Sequence, residues 1–417
     1  MKRIIVAGGG FAGLKLARML DNRDFEILLI DKINHHQFQP LFYQVATAAL
    51  EPSNISFPLR RHFKHSKNIR IRLAEVLKIF PDQNKVKTSI GDFQYDYLII
   101  ATGADTNFFG NKNFESLAYP MKSTSQALYL RYHLLQNFED ALSAPPDKIE
   151  SLLNYVIVGG GPTGVELAGA LAEVKKHVLP KDFHDFDFTR MKIMLLEGGD
   201  KTLGNMSEMA SEYSKKYLEE LGVLVMLNTR VKDYDGVQLL IDDGSVIKTK
   251  TVIWAAGVKG NLIEGLNPGD VEKGNRIKVN RFNQLLSFPN IYAMGDIAIM
   301  RTPKFPNGHP QLANVAINQA KNVAKNFLRQ QKNQSLIEYE YMDKGALATV
   351  GKHRAVADLP SIKFHGAIAW YAWMGLHLVL LMGFKNRLFV FVNWVIAYFT
   401  NNSTLRLIFK PFSKRNL

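Results

Sequence analysis

The chain has 417 residues, more than a single hydrophobic core supports at roughly 150 residues per domain, so two or three domains are expected. Its 47% hydrophobic and 22% charged residues exclude a disordered or fibrous chain. The absence of cysteine excludes disulfides, zinc–thiolate and iron–sulfur sites and any dithiol redox centre, and the net charge of +14 leaves nucleic acid, an anionic membrane or plain solubility as readings.

Lys2-Arg3 and the apolar residues 4–6 begin like a signal peptide, but the run passes without a cleavage-like site into Gly8-Gly9-Gly10. Residue 1 is therefore read as the start of the mature chain. Residues 3–7 are a β-branched run. They lead through Gly8-Gly9-Gly10-Phe11-Ala12-Gly13 into the periodic stretch LKLARML, which reads as strand, glycine turn and helix. Gly8 permits the tight turn, Gly10 lets backbone approach a pyrophosphate, and Gly13 lets helix and strand pack closely. The phosphates would sit on the helix N-terminus, where unpaired N–H groups and the dipole attract anions. The next strand ends in Asp31, placed to accept hydrogen bonds from ribose hydroxyls. His35-His36 look like a metal pair, yet adjacent residues diverge on any element and no third ligand of matching spacing follows, so no metal is expected. A later strand, Tyr97–Ile100, runs into Ala101-Thr102-Gly103.

The pattern then returns. Residues 155–158 lead into Gly159-Gly160-Gly161-Pro162-Thr163-Gly164 and the stretch VELAGALAEV. The following strand ends in Glu197, 38 residues after its first glycine against 23 in the first copy, the difference being an insertion at about 175–190 rich in Lys, His, Asp and Phe. Thr251–Trp254 runs into Ala255-Ala256-Gly257, 96 residues after its first glycine against 93. Two glycine turns with matched later turns mark a duplicated nucleotide-binding unit. Residues 290–294 then read as the closing strand of the first domain, and Gly295-Asp296 offers an acid for a ribityl or ribose hydroxyl.

After Asp358 there is no Asp or Glu, whereas seven Lys or Arg follow. Residues 366–384 contain one polar side chain, His377; Lys385-Asn386-Arg387 interrupts; residues 388–399 contain only Asn393. The first run is just long enough to span a bilayer and the second is not. Trp370, Trp373 and Trp394 beside basic residues suit a helix pair lying in the membrane interface.

Several stretches together resemble the type II NADH:quinone oxidoreductases, the single-chain, non-pumping NADH dehydrogenases among the two-dinucleotide-binding flavoproteins. They are GGGFAG (8–13), NHHQFQPLFYQVATAAL (34–50), ATG (101–103), GGGPTGVELAGALAE (159–173), AAGV (255–258), YAMGD (292–296) and ANVAINQ (313–319), with the amphipathic C-terminal region. The resemblance implies an α/β fold with two Rossmann-like dinucleotide-binding domains, one inserted in the other, plus a C-terminal membrane-anchoring helical region. It implies noncovalent FAD in residues 1–115 and 283–325, NADH in 120–282, and connecting strands, anchor and quinone site in 326–417.

For FAD, the resemblance implies Gly8, Gly10, Phe11, Ala12, Gly13, Asp31, Lys32, Gln44, Val76, Ala101, Thr102, Gly103, Gly295, Asp296, Ala313 and Asn314. For NADH it implies Gly159, Gly161, Gly164, Glu166, Glu197, Ala256 and Gly257. A carboxylate at Glu197 pairs with the adenine-ribose 2′-OH and repels a 2′-phosphate, which favours NADH over NADPH; Lys201 lies four residues on. Glu166 is placed on the first helical turn and, in the family, beside nicotinamide and flavin, where burial raises its pKa and lets it relay protons. The plainer reading is an acid that complements the helix dipole. Gln44 is a candidate for the isoalloxazine edge or the quinone pocket, against a loop amide satisfied by backbone. The family's AQxAxQ stands here as Ala313-Asn314-Val315-Ala316-Ile317-Asn318, each glutamine replaced by asparagine, one methylene shorter. With Gln319, which projects about 100° away on a helix, Asn314 and Asn318 complete the quinone-site candidates.

The expected function is oxidation of NADH by hydride transfer to FAD and delivery of two electrons to a membrane quinone, without proton pumping. The expected place is the cytoplasmic side of the cell inner membrane, peripheral and monotopic on an anionic lipid surface, and a homodimer is compatible with it. Two alternatives stay open: a soluble reductase of a ferredoxin- or rubredoxin-like acceptor, and a non-enzymatic, NADH-sensing flavoprotein. Disulfide reductases and sulfide:quinone oxidoreductases need cysteine and are excluded, and nucleic-acid binding rests on net charge alone.

Overall fold

In the computed structural model, residues 1–184, 186–400 and 405–408 are described. The chain divides into two compact units. The first comprises Met1–Gln37, Ser56–Asp105 and Val258–Met342; the second comprises Phe38–Ile55, Thr106–Gly257 and Asp343–Leu417.

The first unit is built on a five-stranded parallel sheet in the order Ile291–Ala293, Tyr97–Ile100, Lys2–Ala7, Phe25–Asp31, Ile69–Leu73. Ile4, Ile5, Val6 and Ala7 are wholly buried, the continuous apolar run that a parallel strand covered on both faces requires. Helix Phe11–Met19 packs beside helix Ala313–Gln330. A three-stranded antiparallel meander, Val76–Phe80, Lys85–Thr88 and Gly91–Gln94, precedes the fourth strand in the chain.

The second unit repeats this plan. Its parallel sheet has the order Tyr119–Pro120, Thr251–Trp254, Asn154–Val158, Lys192–Leu196, Val223–Met226. Its meander, Val231–Tyr234, Gln238–Ile241 and Val246–Lys248, stands before Thr251–Trp254 just as the first copy's stands before Tyr97–Ile100. The duplication holds bond for bond. Gly8 N–H donates to Ile30 O at 2.8 Å and Gly159 N–H to Leu196 O at 2.8 Å; Ala101 N–H donates to Ala7 O and Ala255 N–H to Val158 O, both at 2.8 Å. Only the outer strand differs: it comes last in the chain in the first unit and first in the second.

The packing redraws the boundaries expected from sequence. Residues 258–282, expected with the inserted domain, belong to the first unit, because strand Arg276–Val279 pairs with Ala298–Met300 and buries Ile277 against Ile5, Ile30 and Ile100. Residues 326–342 join the same unit, with Tyr339 and Tyr341 in that core. Residues 106–115 group with the second unit, where Phe108 and Phe114 pack on Trp254. Residues 38–55 also fall there, their helix Phe42–Ala46 lying against helix Thr124–Ser143.

The second unit ends in a three-stranded antiparallel sheet, Ala346–Thr349, Ala355–Asp358 and Lys363–His365, then two helices, Ala367–Leu380 and Phe384–Thr400. The break between them is not at Lys385-Asn386-Arg387, as the charges suggested, but at residues 381–383, where Gly383 takes a positive φ of 81°. Lys385 to Arg387 fit inside the first turn of the second helix because Arg387 turns back, donating to Leu381 O and Val379 O at 2.8 Å each, and satisfies carbonyls that the first helix leaves open. Both helices expose large apolar side chains: Ile368, Val379, Phe384 and Phe399 are between 67% and 82% exposed. Among the described residues no helix is long and apolar enough to cross a membrane. Of the tail's basic residues, Arg406 pairs with Asp182, whereas Lys410, Lys414 and Arg415 lie outside the described residues.

Candidate functional site

Each glycine turn meets the geometry a dinucleotide needs. A Cβ on Gly13 would stand 1.9 Å from Gly8 O, and one on Gly164 1.9 Å from Gly159 O, so the third glycine is obligatory in both copies. A Cβ on Gly10 or Gly161 would meet nothing within 4 Å, so backbone here faces open space. Gly10 and Gly161 are also the N-caps of helices Phe11–Met19 and Pro162–Glu173, and neither helix has a side-chain cap. Uncapped N–H groups opening on free space fit a pyrophosphate.

The two acids hold these turns. Asp31 Oδ2 accepts from Gly9 N–H at 2.5 Å and Oδ1 from Ile33 N–H at 2.8 Å. Glu197 Oε2 accepts from Gly160 N–H at 2.5 Å and Oε1 from Gly199 N–H at 2.7 Å. Each carboxylate thus fastens the middle glycine of its turn and keeps further lone pairs for a ribose hydroxyl. Burial pushes the Asp31 carboxyl up, against the pull of the Ile33 and Gly9 N–H groups. Lys201 is tied to Glu208 at 3.1 Å. Arg230, absent from the sequence-derived set, runs against Gly198 beside Glu197, its Cγ 3.1 Å from where a Gly198 Cβ would stand.

Around the first turn the structure gathers Ala12, Ala316 and Gly295: a Cβ on Gly295 would stand 3.1 Å from Ala316 Cβ and 3.6 Å from Ala12 Cβ. Gln319, a quinone-site candidate, is buried and accepts from Gly295 N–H at 2.8 Å through Oε1, so its side chain braces this turn. Asn318 Nδ2 donates to Asn314 Oδ1 at 2.6 Å and Lys321 to Asn318 Oδ1 at 3.3 Å, so the two asparagines bind each other on helix Ala313–Gln330. Thr102 Oγ1 donates to Asn261 O and Gln311 Nε2 to Asp296 O. Lys32 is exposed, Val76 opens the meander, and Ala256 and Gly257 follow the strand Thr251–Trp254. His36 is buried with Nδ1 3.3 Å from Gly9 O, and burial lowers it to about 4. Among the described residues no group of three or more His, Cys, Asp or Glu could hold a metal.

The second unit contains a cavity of about 200 Å³ lined by Tyr43, Gln44, Glu166, Thr349, Trp373 and Trp394 among others. Glu166 is the fifth residue of its helix, just past the first turn where it was expected, and is buried. Trp373 Nε1 donates to Glu166 Oε1 at 3.1 Å and Thr349 N–H to the same oxygen at 3.4 Å. Burial pushes the carboxyl up to about 8, further than these two donors pull it down. The direction of the shift favours the protonated carboxyl. Gln44 Oε1 accepts from Trp394 Nε1 at 2.8 Å, and Gln44 Nε2 donates to Tyr43 OH at 3.0 Å. Tyr43 OH lies 3.2 Å from Thr349 Oγ1. His377 stacks on Trp373 at 4.0 Å and is held near 4 by burial, hence neutral. At the same cavity Glu173 accepts from Lys352 N–H at 3.0 Å and lies 3.5 Å from His177, on a turn of π-helix at Val174–Val178.

Sequence reasoning missed Tyr43, Thr349, Trp373 and Trp394 as partners, since the bonds that join them span up to 350 residues of chain. It also missed Arg131, a buried guanidinium whose Nε and Nη1 have no hydrogen-bond partner among the described residues.

Residues 2–320 match the pyridine nucleotide-disulphide oxidoreductase family, and residues 344–401 match the NDH2 C-terminal domain. The type II NADH:quinone oxidoreductase Ndh of Mycobacterium tuberculosis is 34% identical over 95% of this chain and 88% of its own length. The chain belongs to the type II NADH:quinone oxidoreductases. A Haemophilus influenzae member of this family is 27% identical over 90% of this chain and 93% of its own. The structure of NDH2 from Plasmodium falciparum in complex with NADH shares the fold, with a TM-score of 0.89 at 22% identity over 98% of this chain and 100% of that one. The disulphide of the broader family has no counterpart here, because the chain has no cysteine.

Proposed function

We infer that the chain is a flavoenzyme that oxidises NADH and reduces a quinone without pumping protons. Bound FAD supplies the hydride acceptor and the two-electron relay. NADH, a proton and quinone give NAD⁺ and quinol, so each turnover takes up one proton beyond the transferred hydride. The observation that carries the reading is the duplicated turn, with its two open, uncapped helix N-termini.

We assign FAD to the first turn and NADH to the second. Asp31 binds the adenosine ribose of FAD. Glu197 binds the adenine ribose of NADH at its 2′-OH, where a 2′-phosphate would meet a carboxylate. Glu166, protonated at neutral pH, holds a proton for the quinone, and the cavity it lines receives the quinone head group. The exposed apolar faces of the two C-terminal helices seat the chain on a lipid surface, on the cytoplasmic side of the inner membrane, without crossing it.

The test is the absorption spectrum of the purified protein. A flavin spectrum that bleaches with NADH and returns with quinone supports the reading. A flavin that NADH leaves oxidised, or that quinone cannot reoxidise, defeats it.

A further inference from the structure

Both C-terminal helices reach the cavity through an indole. Trp373, on the first, donates to Glu166 Oε1; Trp394, on the second, donates to Gln44 Oε1 at 2.8 Å. The rings lie 6.0 Å apart. An indole N–H is a donor only, so each tryptophan dictates which end of its partner it meets.

At Gln44 this has one outcome. The amide must turn its oxygen to Trp394, which sends its NH2 the other way. One Nε2 hydrogen goes to Tyr43 OH at 3.0 Å. The second finds no acceptor among the described residues, and Gln44 lines the cavity. With Nε2 donating to it, Tyr43 is free to donate to Thr349 Oγ1, 3.2 Å away. At Glu166 both protein donors take Oε1, and none among the described residues takes Oε2, which leaves Oε2 as the oxygen that carries the proton. The cavity therefore shows a ligand two hydrogen-bond donors, an amide N–H and a carboxylic O–H. A quinone carbonyl is an acceptor only.

We propose that Trp394 is a positioning residue for the quinone site, fixing the Gln44 amide so that its NH2 faces the quinone carbonyl. The inference rests on the quinone reading above. Rotated by a half-turn, the amide would offer its oxygen to the quinone's oxygen, and repulsion would replace a hydrogen bond. Because Trp394 stands on the second C-terminal helix, the seat of that helix sets the polarity of the site.

The test uses the full chain with FAD, in vesicles containing anionic lipid. Trp394→Phe keeps a ring and loses the N–H. It is expected to raise the quinone KM about tenfold, with a smaller change in kcat. Gln44→Leu is expected to raise KM at least as far, and the double variant no further than Gln44→Leu alone. Multiplying effects in the double variant overturn the proposal, as does an unchanged KM in Trp394→Phe. A second measurement stands if Trp394→Phe fails to fold. With four tryptophans in the chain, the indole N–H resonance of Trp394 can be assigned. It should shift in Gln44→Leu and hold in Gln44→Glu, which keeps an oxygen acceptor but loses the NH2. An unmoved resonance in Gln44→Leu also overturns the proposal. Failure of the underlying reading looks different: the unaltered protein would not reoxidise its flavin with quinone at all.

Discussion

Glu166 has two consequences that pH can separate. Folded, its carboxyl keeps its proton up to about 8; unfolded, it ionises from 4.5. Stability from this group is therefore full below pH 4.5, is lost as pH rises towards 8, and is level above that. Glu166→Gln should flatten this component, seen as urea midpoints that change less between pH 5 and pH 8 than in the unaltered protein. Quinone reduction should fall as pH rises through about 8 in the unaltered protein. The glutamine variant should lose that limb and about 10²-fold in rate, the size of a general-acid contribution. A variant that keeps both rate and limb would show that the proton comes from elsewhere. On the proposed assignment of Glu197 to the adenine ribose, Glu197→Gln removes the charge that would repel a 2′-phosphate while Arg230 stays beside Gly198. It should improve NADPH use relative to NADH on the order of tenfold, the effect of about 1.4 kcal/mol. The initial rates with the two nucleotides check this.

Local requirements were legible at the level of elements, and distant partnerships were not. Gly164 could be named from sequence because the constraint on it, Gly159 O, lies five residues away in a turn whose shape the pattern fixes. Gly164→Ala should abolish NADH binding and cost about 1–3 kcal/mol by overpacking, read from nucleotide titration and the thermal midpoint. The depth of Glu166 was only implied by resemblance. Its burial depends on Thr349 and Trp373, and the latter is 207 residues further along. The bond of Gln319 to Gly295 N–H was hidden for the same reason, since helical projection gives the direction of a side chain but not the partner it meets. The helix break was misplaced because three polar residues outweighed one glycine, and Arg387's return to Leu381 and Val379 needs both helices in place. These helices also carry a test of lipid seating. Val379→Glu and Phe399→Glu alter side chains 67% and 77% exposed, so the fold should survive. Sedimentation with anionic vesicles should drop sharply for the pair, and more so in high salt. Unchanged sedimentation would remove the lipid role from these faces.

For the molecule as a whole, one plan was executed twice on two different jobs. The sheets share strand order and the turns share their hydrogen bonds, yet each copy adds what the other lacks. The first adds the Gly295 turn braced by Gln319; the second adds a cavity and a pair of exposed apolar helices. The domain limits were hard to read because chain order and packing diverge: residues 38–55 and 343–417 group with a unit whose main body is 106–257. Deleting 366–417 should end vesicle binding and activity with long-chain quinone while flavin stays bound, since the bonds that shape the first unit's turn are made within that unit. Flavin content by absorption and pelleting with vesicles separate the two outcomes.

The carboxylate that fastens each glycine turn does so through bonds that need no nucleotide atom. Asp31 holds Gly9 and Ile33, and Glu197 holds Gly160 and Gly199, so each loop is tied by bonds internal to the protein, and these are expected to leave little conformational freedom for binding to remove. Protein stripped of its flavin should therefore still protect the Gly9 and Gly160 amides from hydrogen exchange, and should take FAD back in one fast phase. Asp31→Ala should lose both properties together: the amide becomes exchangeable, and reloading slows to the pace at which a loose loop finds its shape.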